Sequence, residues 1–508
     1  ESEDTFIIGP TIQQVCEWLE HIAKNPNLQW YLDVETRGDC LTCFGLWIED
    51  RPRQALCIPI QNTTGPAWTP VEEAHIWRLL SLTMASNPRL CNQNILYDLD
   101  YTLDMGCEPV AVEADPMLMM NVAYPEFLKG LDFTTPLYTN HEFYKDEGKT
   151  WKKSIPDQRV WIYNCKDMVV TPKVTIGVTK DLKERDLYGV YQKRTNALLG
   201  VALEMQRQKL KLNRDWHGTL ASYLASERAA RHTDLTKLIG YELNVKSTAE
   251  VGTLLYDKLR LPVKTKRATG NQTTEENALK ELRATYPDIP ELNLILKERH
   301  LRTKESNYIN VAFDKDGDDL YLASMPNLGG TKSGRWAFTK SPKWRGSSPQ
   351  TVPKVMRLMY EPPFGNVFWQ RDLSQAEVRI VTWLADCKYL LSVFAGTIKI
   401  HKIVGADIFG KTPDEIESDS LEYDTAKSVV HAFDYMMRYK RLAIEANISM
   451  KMAQEVLTTY AKKVPEISEW HKSIKAQVLK NGTLTTPMGR TRICYRSRGM
   501  LANTGQYS

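Results

Sequence analysis

Asp33-Val34-Glu35 sets two carboxylates two residues apart in an apolar run. In a strand that spacing turns both acids to one face and Val34 to the core, so a single divalent ion can be shared between them. Tyr163 and Asp167 stand at i and i+4 in a stretch of helical pattern, which brings phenol and carboxylate to one face. Asp98 follows Asn94-Ile95-Leu96-Tyr97, with Asp100 two residues beyond it as a rival acid. Four carboxylates suffice to hold two hard cations ~3.5 to 4 Å apart, which activate a water and stabilise the leaving oxygen of a phosphodiester. Tyr163 is then placed to orient the water.

A second acidic position lies far downstream. In Val367-Phe-Trp-Gln-Arg-Asp372-Leu-Ser-Gln-Ala-Glu377-Val-Arg379 the pattern predicts an apolar strand that delivers Asp372 to the start of a helix, a place suited to a metal-bound triphosphate. Lys427, His431 and Tyr435 recur every four residues and line one helix face. Such a stripe is by default an amphipathic surface, and its meaning depends on what surrounds it.

The elements that position these groups can be read from periodicity. Residues 30–35, 43–48 and 55–60 are short apolar runs divided by Gly, Asp, Arg and Pro, and predict three successive strands. Helices are expected over 71–85, around Asp98 and over 159–170, giving a mixed α/β unit over residues 1–190. A second domain covers 191–508. It opens with a charge-rich helical arm (198–212, 249–259, 275–286 and 292–304) whose tip, 264–270, is basic. After the Asp372 unit come a helix-rich insertion over 386–479 and a hairpin at 482–489.

Composition bounds the class. The chain has 508 residues, 42% hydrophobic and 25% charged, enough for two to four domains with cores of their own. No run approaches the ~20 apolar residues that cross a bilayer, and the acidic start lacks the basic and apolar parts of a secretion signal, so no membrane partner and a cytosolic or nucleoplasmic setting are expected. Nine scattered cysteines predict reduced thiols rather than disulfides or zinc. The net charge of +4 identifies no partner, but local bias does. Residues 331–357 and 471–508 each hold seven Lys or Arg and no acid, interleaved with Trp336, Phe338, Trp344 and Tyr495, as walls that track phosphates do.

The motif order Asp33-Val-Glu35-Thr, Gln93-Asn94-Ile-Leu-Tyr97-Asp98 and Tyr163-Asn-Cys-Lys-Asp167 resembles the three exonuclease motifs of the DEDDy class. With Asp372-Leu-Ser-Gln-Ala-Glu377 as a first palm motif, the whole chain resembles family A DNA polymerases, particularly the phage type. The resemblance implies an α/β fold in which a ribonuclease-H-like exonuclease domain precedes a right-hand polymerase domain of helical thumb, palm sheet and helical fingers. It implies two Mg²⁺ per active site, with Mn²⁺ as an alternative, and primer-template DNA, deoxynucleoside triphosphates and a processivity factor as partners, in the cytoplasm of a bacterial host. By the same resemblance Asp372 binds both polymerase metals with help from the Leu373 carbonyl, and Glu377 closes the space of a ribose 2′-hydroxyl. His401 and Lys427 meet the triphosphate, His431 the sugar, Tyr435 the templating base stack, and Arg335 and Gln506 read the minor groove.

The match has departures. Tyr423 stands where the family has a triphosphate-binding arginine, and Asp434, Met436 and Arg438 stand where the phage pattern has an asparagine and two glycines. The second palm carboxylate, which the family carries in a His-Asp motif after the Gln506 position, is not found before Ser508. The palm is therefore expected to be incomplete and polymerisation weak, while the nuclease set is whole. The rival reading is a stand-alone 3′ to 5′ exonuclease with a DNA-binding C-terminal half.

Overall fold

A computed structural model of the chain describes residues 4–149, 155–266 and 268–494. They divide into two compact units, one of Glu1–Arg214, Val311–Asn366 and Thr485–Ile493, the other of Asp215–Asn310, Val367–Leu484 and Cys494–Ser508.

The first unit is built on a six-stranded mixed sheet. Its order is β1 (Thr5–Ile8), β4 (Gln54–Pro59), β3 (Cys40–Ile48), β2 (Trp30–Arg37), then the short strands Leu90–Cys91 and Val112–Ala114. The three expected strands are β2, β3 and β4, paired antiparallel in succession, while β1 and the two short strands join in parallel. In the β2–β3 ladder Asp33 lies opposite Gly45 and Glu35 opposite Cys43, and the register shifts just after Glu35. That irregularity bends β2 where its two carboxylates leave the core.

Helices cover both faces. α1 (Ile12–Lys24) and α2 (Pro70–Ser86) each start on a capping box, Thr11 with Gln14 and Thr69 with Glu72, which satisfies otherwise orphaned N–H groups. The Phe44 ring meets Trp77 of α2 at 5.5 Å, while Gly45, turned the other way by the pleat, faces the long helix Asp157–Glu184. A Cβ on Gly45 would lie 2.3 Å from Asn164 Oδ1, so glycine is what lets this helix approach the sheet.

The same unit holds a four-stranded sheet of Asp314–Asp316, Asp319–Leu322, Leu210–Leu212 and Tyr360–Glu361 in that order. The helix expected over 198–212 therefore stops at Arg207. Leu210 pairs with Leu322 and Leu212 with Tyr360, and tertiary ladder bonds override helical propensity there.

The second unit is helical. The Arg214–Ile239 helix leads into a core where Leu235, Leu243, Leu255, Leu279 and Ile295 pack together, served by the helices Glu276–Thr285 and Pro290–Lys304. In the expected basic tip Lys264 and Lys266 pair with Glu281 and Glu275 at 2.9 and 2.6 Å. A separate core gathers Val404, Val429, Val430, Leu442, Tyr460 and Ile467 from the helices Ile400–Phe409, Leu421–Asp434, Tyr439–Ala446, Met450–Lys463 and Pro465–Asn481.

Residues 366–373 form no strand, contrary to the expectation for Asp372. Val367 is 70%, Trp369 82% and Leu373 81% exposed, so this stretch has neither ladder partners nor apolar cover. An extended segment without either has nothing to hold it as a strand. The helix expected after it does form, at Ala376–Leu384. Among the described residues no helix is long and apolar enough to cross a membrane, and all nine cysteines are free thiols.

Candidate active site

The upstream acids converge. Asp33 and Glu35 leave β2 on one face, Asp167 comes from the Asp157–Glu184 helix, and one oxygen from each lies within 4.8 Å of the others. Asp98 sits beneath them, buried on α3 (Ile95–Asp104). One of its oxygens accepts the Val34 N–H at 2.9 Å and the other accepts from the Asn92 amide at 3.0 Å. The same amide donates to Asp33 at 3.1 Å, and Asn164 donates to the other Asp33 oxygen at 3.0 Å. Asp100 instead accepts from Gln206 at 2.8 Å.

The start of α3 is fixed by a group that sequence reasoning missed. Asn94 adopts a left-handed backbone, φ 57°, and the Asp115 carboxylate accepts the N–H groups of Asn94 and Ile95 at 3.0 and 3.1 Å. Asp115 also caps the next helix through Met117 and Leu118. One buried acid thus orients two helix starts.

The electrostatics are those of a crowded anion site. Burial, and then the charge of Asp167, push the Asp33 carboxyl up to about 7 despite the Asn92 and Asn164 donors and Lys145. Glu35 is raised well above its ordinary value by burial, Asp33 and Asp167; Asp98 is raised by burial and Asp33. Hard oxygen donors that repel one another at this range suit a divalent cation, so the residues present fit Mg²⁺ or Mn²⁺. The phenol of Tyr163 is raised by burial and Asp167, keeps its proton at neutral pH, and lies at the same cleft. That cleft has a volume of about 570 Å³ and is also lined by Gln93, Asn94, Tyr97, Gly130, Leu131 and Asp132.

Lys145 and Tyr144 were also missed. The Lys145 ammonium bonds both Asp167 oxygens at 2.9 and 2.8 Å, and the Tyr144 hydroxyl donates to one of them at 2.6 Å. Neither lies in a motif or a periodic element, so no sequence signal marked them.

The downstream residues gather in two pairs within the second unit. His401, buried on the Ile400–Phe409 helix, meets Tyr423 edge-on at 5.5 Å, and burial together with Lys427 and Lys399 lowers its imidazole to about 4. It is therefore neutral at pH 7, next to an exposed Lys427. One turn further along the Leu421–Asp434 helix, the His431 ring is tilted against that of Tyr435 with centroids 4.7 Å apart, and His431 lies 3.7 Å from Glu377. Asp372 is exposed, and no cluster of three ligating groups forms around it among the described residues.

Arg335 is exposed in the first unit, its carbonyl accepting from Thr331 at 2.7 Å. Gln506, Tyr495, Arg496 and Arg498 lie outside the described residues. In the basic 331–357 stretch, Lys332, Lys343 and Arg345 pair with Glu126, Asp104 and Asp314, so part of its charge holds the unit together.

Comparison with known proteins gives these sites a setting. A family model described as DNA polymerase family A matches residues 215–504, over half the chain. DNA polymerase I of Borreliella burgdorferi is 24% identical over 472 residues, covering 89% of this chain and 50% of that protein. DNA polymerase I of Synechocystis sp. is 24% identical over 503 residues, covering 95% and 50%. That of Pseudomonas aeruginosa is 26% identical over 302 residues, covering 58% and 32%. The chain spans about half the length, or less, of these curated relatives. Among solved structures, the POL domain of Pol1 from M. smegmatis in complex with DNA primer-template and dNTP matches with a TM-score of 0.74 at 18% identity, over 99% of this chain and 84% of that one. The mixed α/β fold is that of a family A polymerase domain. On the match over residues 215–504, the chain belongs to DNA polymerase family A.

Proposed function

We propose that the chain couples a 3′ to 5′ exonuclease at Asp33, Glu35, Asp98 and Asp167 to template-directed DNA synthesis by its C-terminal half. The observation that carries the nuclease reading is the convergence of oxygens from Asp33, Glu35 and Asp167 within 4.8 Å, with Asp98 tied to Asp33 through Asn92. These acids would hold paired Mg²⁺ ions, with Mn²⁺ as an alternative, which when bound acidify a water and stabilise the leaving oxygen of a phosphodiester. Asn92 and Asn164 hold Asp33 in place, and the protonated phenol of Tyr163 orients the water. The 570 Å³ cleft is large enough to take a frayed 3′ nucleotide.

Family membership supports the synthetic half, in which a primer 3′-oxygen attacks the α-phosphate of a deoxynucleoside triphosphate paired to a template, the α–β phosphoanhydride bond breaks and pyrophosphate leaves. Lys427 supplies charge to the triphosphate and neutral His401 a single ring N–H. Glu377 and His431, 3.7 Å apart, are placed to exclude a ribose 2′-hydroxyl. By the motif resemblance, Asp372, exposed ahead of the Ala376–Leu384 helix, would hold the divalent cations of that step. The exposed Asp372 favours a second reading, a nuclease whose C-terminal half only grips primer-template DNA, with or without a processivity factor. A phage source rests on the sequence motifs alone.

Primer extension and digestion of a 3′-ended single strand, each with Mg²⁺, separate the two. Loss of extension with retained digestion in Asp372→Ala supports the coupled enzyme; digestion without any extension by the unaltered chain supports the second reading.

A further inference from the structure

We propose that Lys145 is a built-in rival of the divalent cation for Asp167, and so sets how much metal the upstream cluster needs. The inference rests on reading that cluster as a metal-dependent nuclease site.

Lys145 lies in a segment whose chain position gives it no place among the acidic motifs, yet its ammonium reaches both oxygens of Asp167 at 2.8 and 2.9 Å. Tyr144 adds a third donor at 2.6 Å on one of them. A carboxylate offers about four lone-pair positions, so three are taken by protein donors and only one faces other ligands. The ion pair is not a passing surface contact. The Lys145 side chain is 15% and that of Asp167 7% exposed, and the ammonium lies 4.6 Å from the centre of the Tyr163 ring and 5.5 Å from that of Tyr144. Two aromatic faces and two carboxylate oxygens make a lined seat for one positive charge.

That seat overlaps the cation position. Asp167 belongs to the three-acid group whose oxygens lie within 4.8 Å of one another, so a divalent ion among them would sit within a few ångströms of the ammonium. Like charges at that range repel strongly in a partly buried cleft. Either the lysine withdraws along the cleft or the ion binds with reduced affinity. Asp33, by contrast, is held by the amides of Asn92 and Asn164, which carry no charge and oppose no cation. Among the described residues of the cluster, Asp167 is the acid whose oxygens Lys145 bonds directly.

The test is calorimetric titration of the 508-residue chain with Mn²⁺, comparing it with Lys145→Met, Lys145→Arg and Asp33→Ala. Methionine keeps the stem against the two rings and removes the charge. Its affinity for Mn²⁺ should rise roughly ten- to a hundredfold, the usual size of an outer-partner effect on a metal site. Arginine should restore the original affinity. Because Lys145→Met leaves Asp167 without its ion pair, melting is followed in parallel, and Mn²⁺ should raise its melting temperature more than that of the unaltered chain. Unchanged or weaker Mn²⁺ binding in Lys145→Met, with binding still abolished by Asp33→Ala, overturns the inference and leaves the nuclease reading standing. No Mn²⁺ binding by any of the chains overturns both.

Discussion

Gly45 lies directly opposite Asp33 in the β2–β3 ladder, and a Cβ on it would come within 2.3 Å of Asn164 Oδ1 and 2.7 Å of Met168 Cγ. The absence of a side chain on one strand thus decides where a helix can place the amide that holds Asp33. Gly45→Ala should push the Asp157–Glu184 helix outward and lower stability by about 1–3 kcal/mol, as overpacked cores do. Urea unfolding and a 3′ digestion assay check it: digestion should drop, and primer extension should not.

Asn92 is the only group that bonds Asp33 and Asp98 together, at 3.1 and 3.0 Å, among the described residues. Asn92→Leu keeps the bulk and strips a donor from buried Asp98 and half-buried Asp33. A loss of about 1–3 kcal/mol is expected from the unmet acceptors. Digestion should fall with it, and added Mn²⁺ should recover part of the lost stability, read as a shift in melting temperature.

Much of this site was legible in the sequence because its acids sit on regular elements. The two-residue spacing in β2 and the four-residue spacing in the Asp157–Glu184 helix fix relative direction from periodicity alone, and Asp33, Glu35, Tyr163 and Asp167 do share one cleft. Asn92, Asp115 and Lys145 were not legible, since each acts across a tertiary contact from a loop or a strand end. The strand expected at Asp372 failed for a related reason. Apolar residues predict burial only when another element arrives to cover them, and over 367–373 none does. Likewise Leu210–Leu212 reads as the tail of a helix until its two ladder partners are known.

Asp434 is buried at the end of the Leu421–Asp434 helix and, among the described residues, neither its carboxylate oxygens nor the hydroxyl of buried Tyr460 has a hydrogen-bond partner. Burial pushes the Asp434 carboxyl up to about 8. The ordinary unfolded value is about 3.9. Between these two values the folded chain holds a proton that the unfolded chain has released, so stability falls as pH rises from about 4 to 8. Asp434→Leu should therefore raise the melting temperature at pH 8 and give little gain near pH 4. A gain of the same size at both pH values would contradict this account.

Burial first, and then the charge of nearby Lys427, depress the His401 imidazole. Lys427→Ala should weaken binding of a deoxynucleoside triphosphate by about 1.5–3 kcal/mol, the range of hydrogen bonds to charged groups. It should also bring the His401 value back toward 6.5. Nucleotide titration followed by fluorescence, and NMR titration of the imidazole, read the two effects separately.

Digestion of a 3′-ended single-stranded oligonucleotide with Mg²⁺ present and then chelated, by the unaltered chain and by Asp33→Ala, bears most directly on the acidic cluster. The chain should shorten the strand from its 3′ end only with the cation, and Asp33→Ala should lose at least about two orders of magnitude in rate, the scale of removing a charge-stabilising catalytic group. Cation-independent digestion, or full activity in Asp33→Ala, would contradict the assignment.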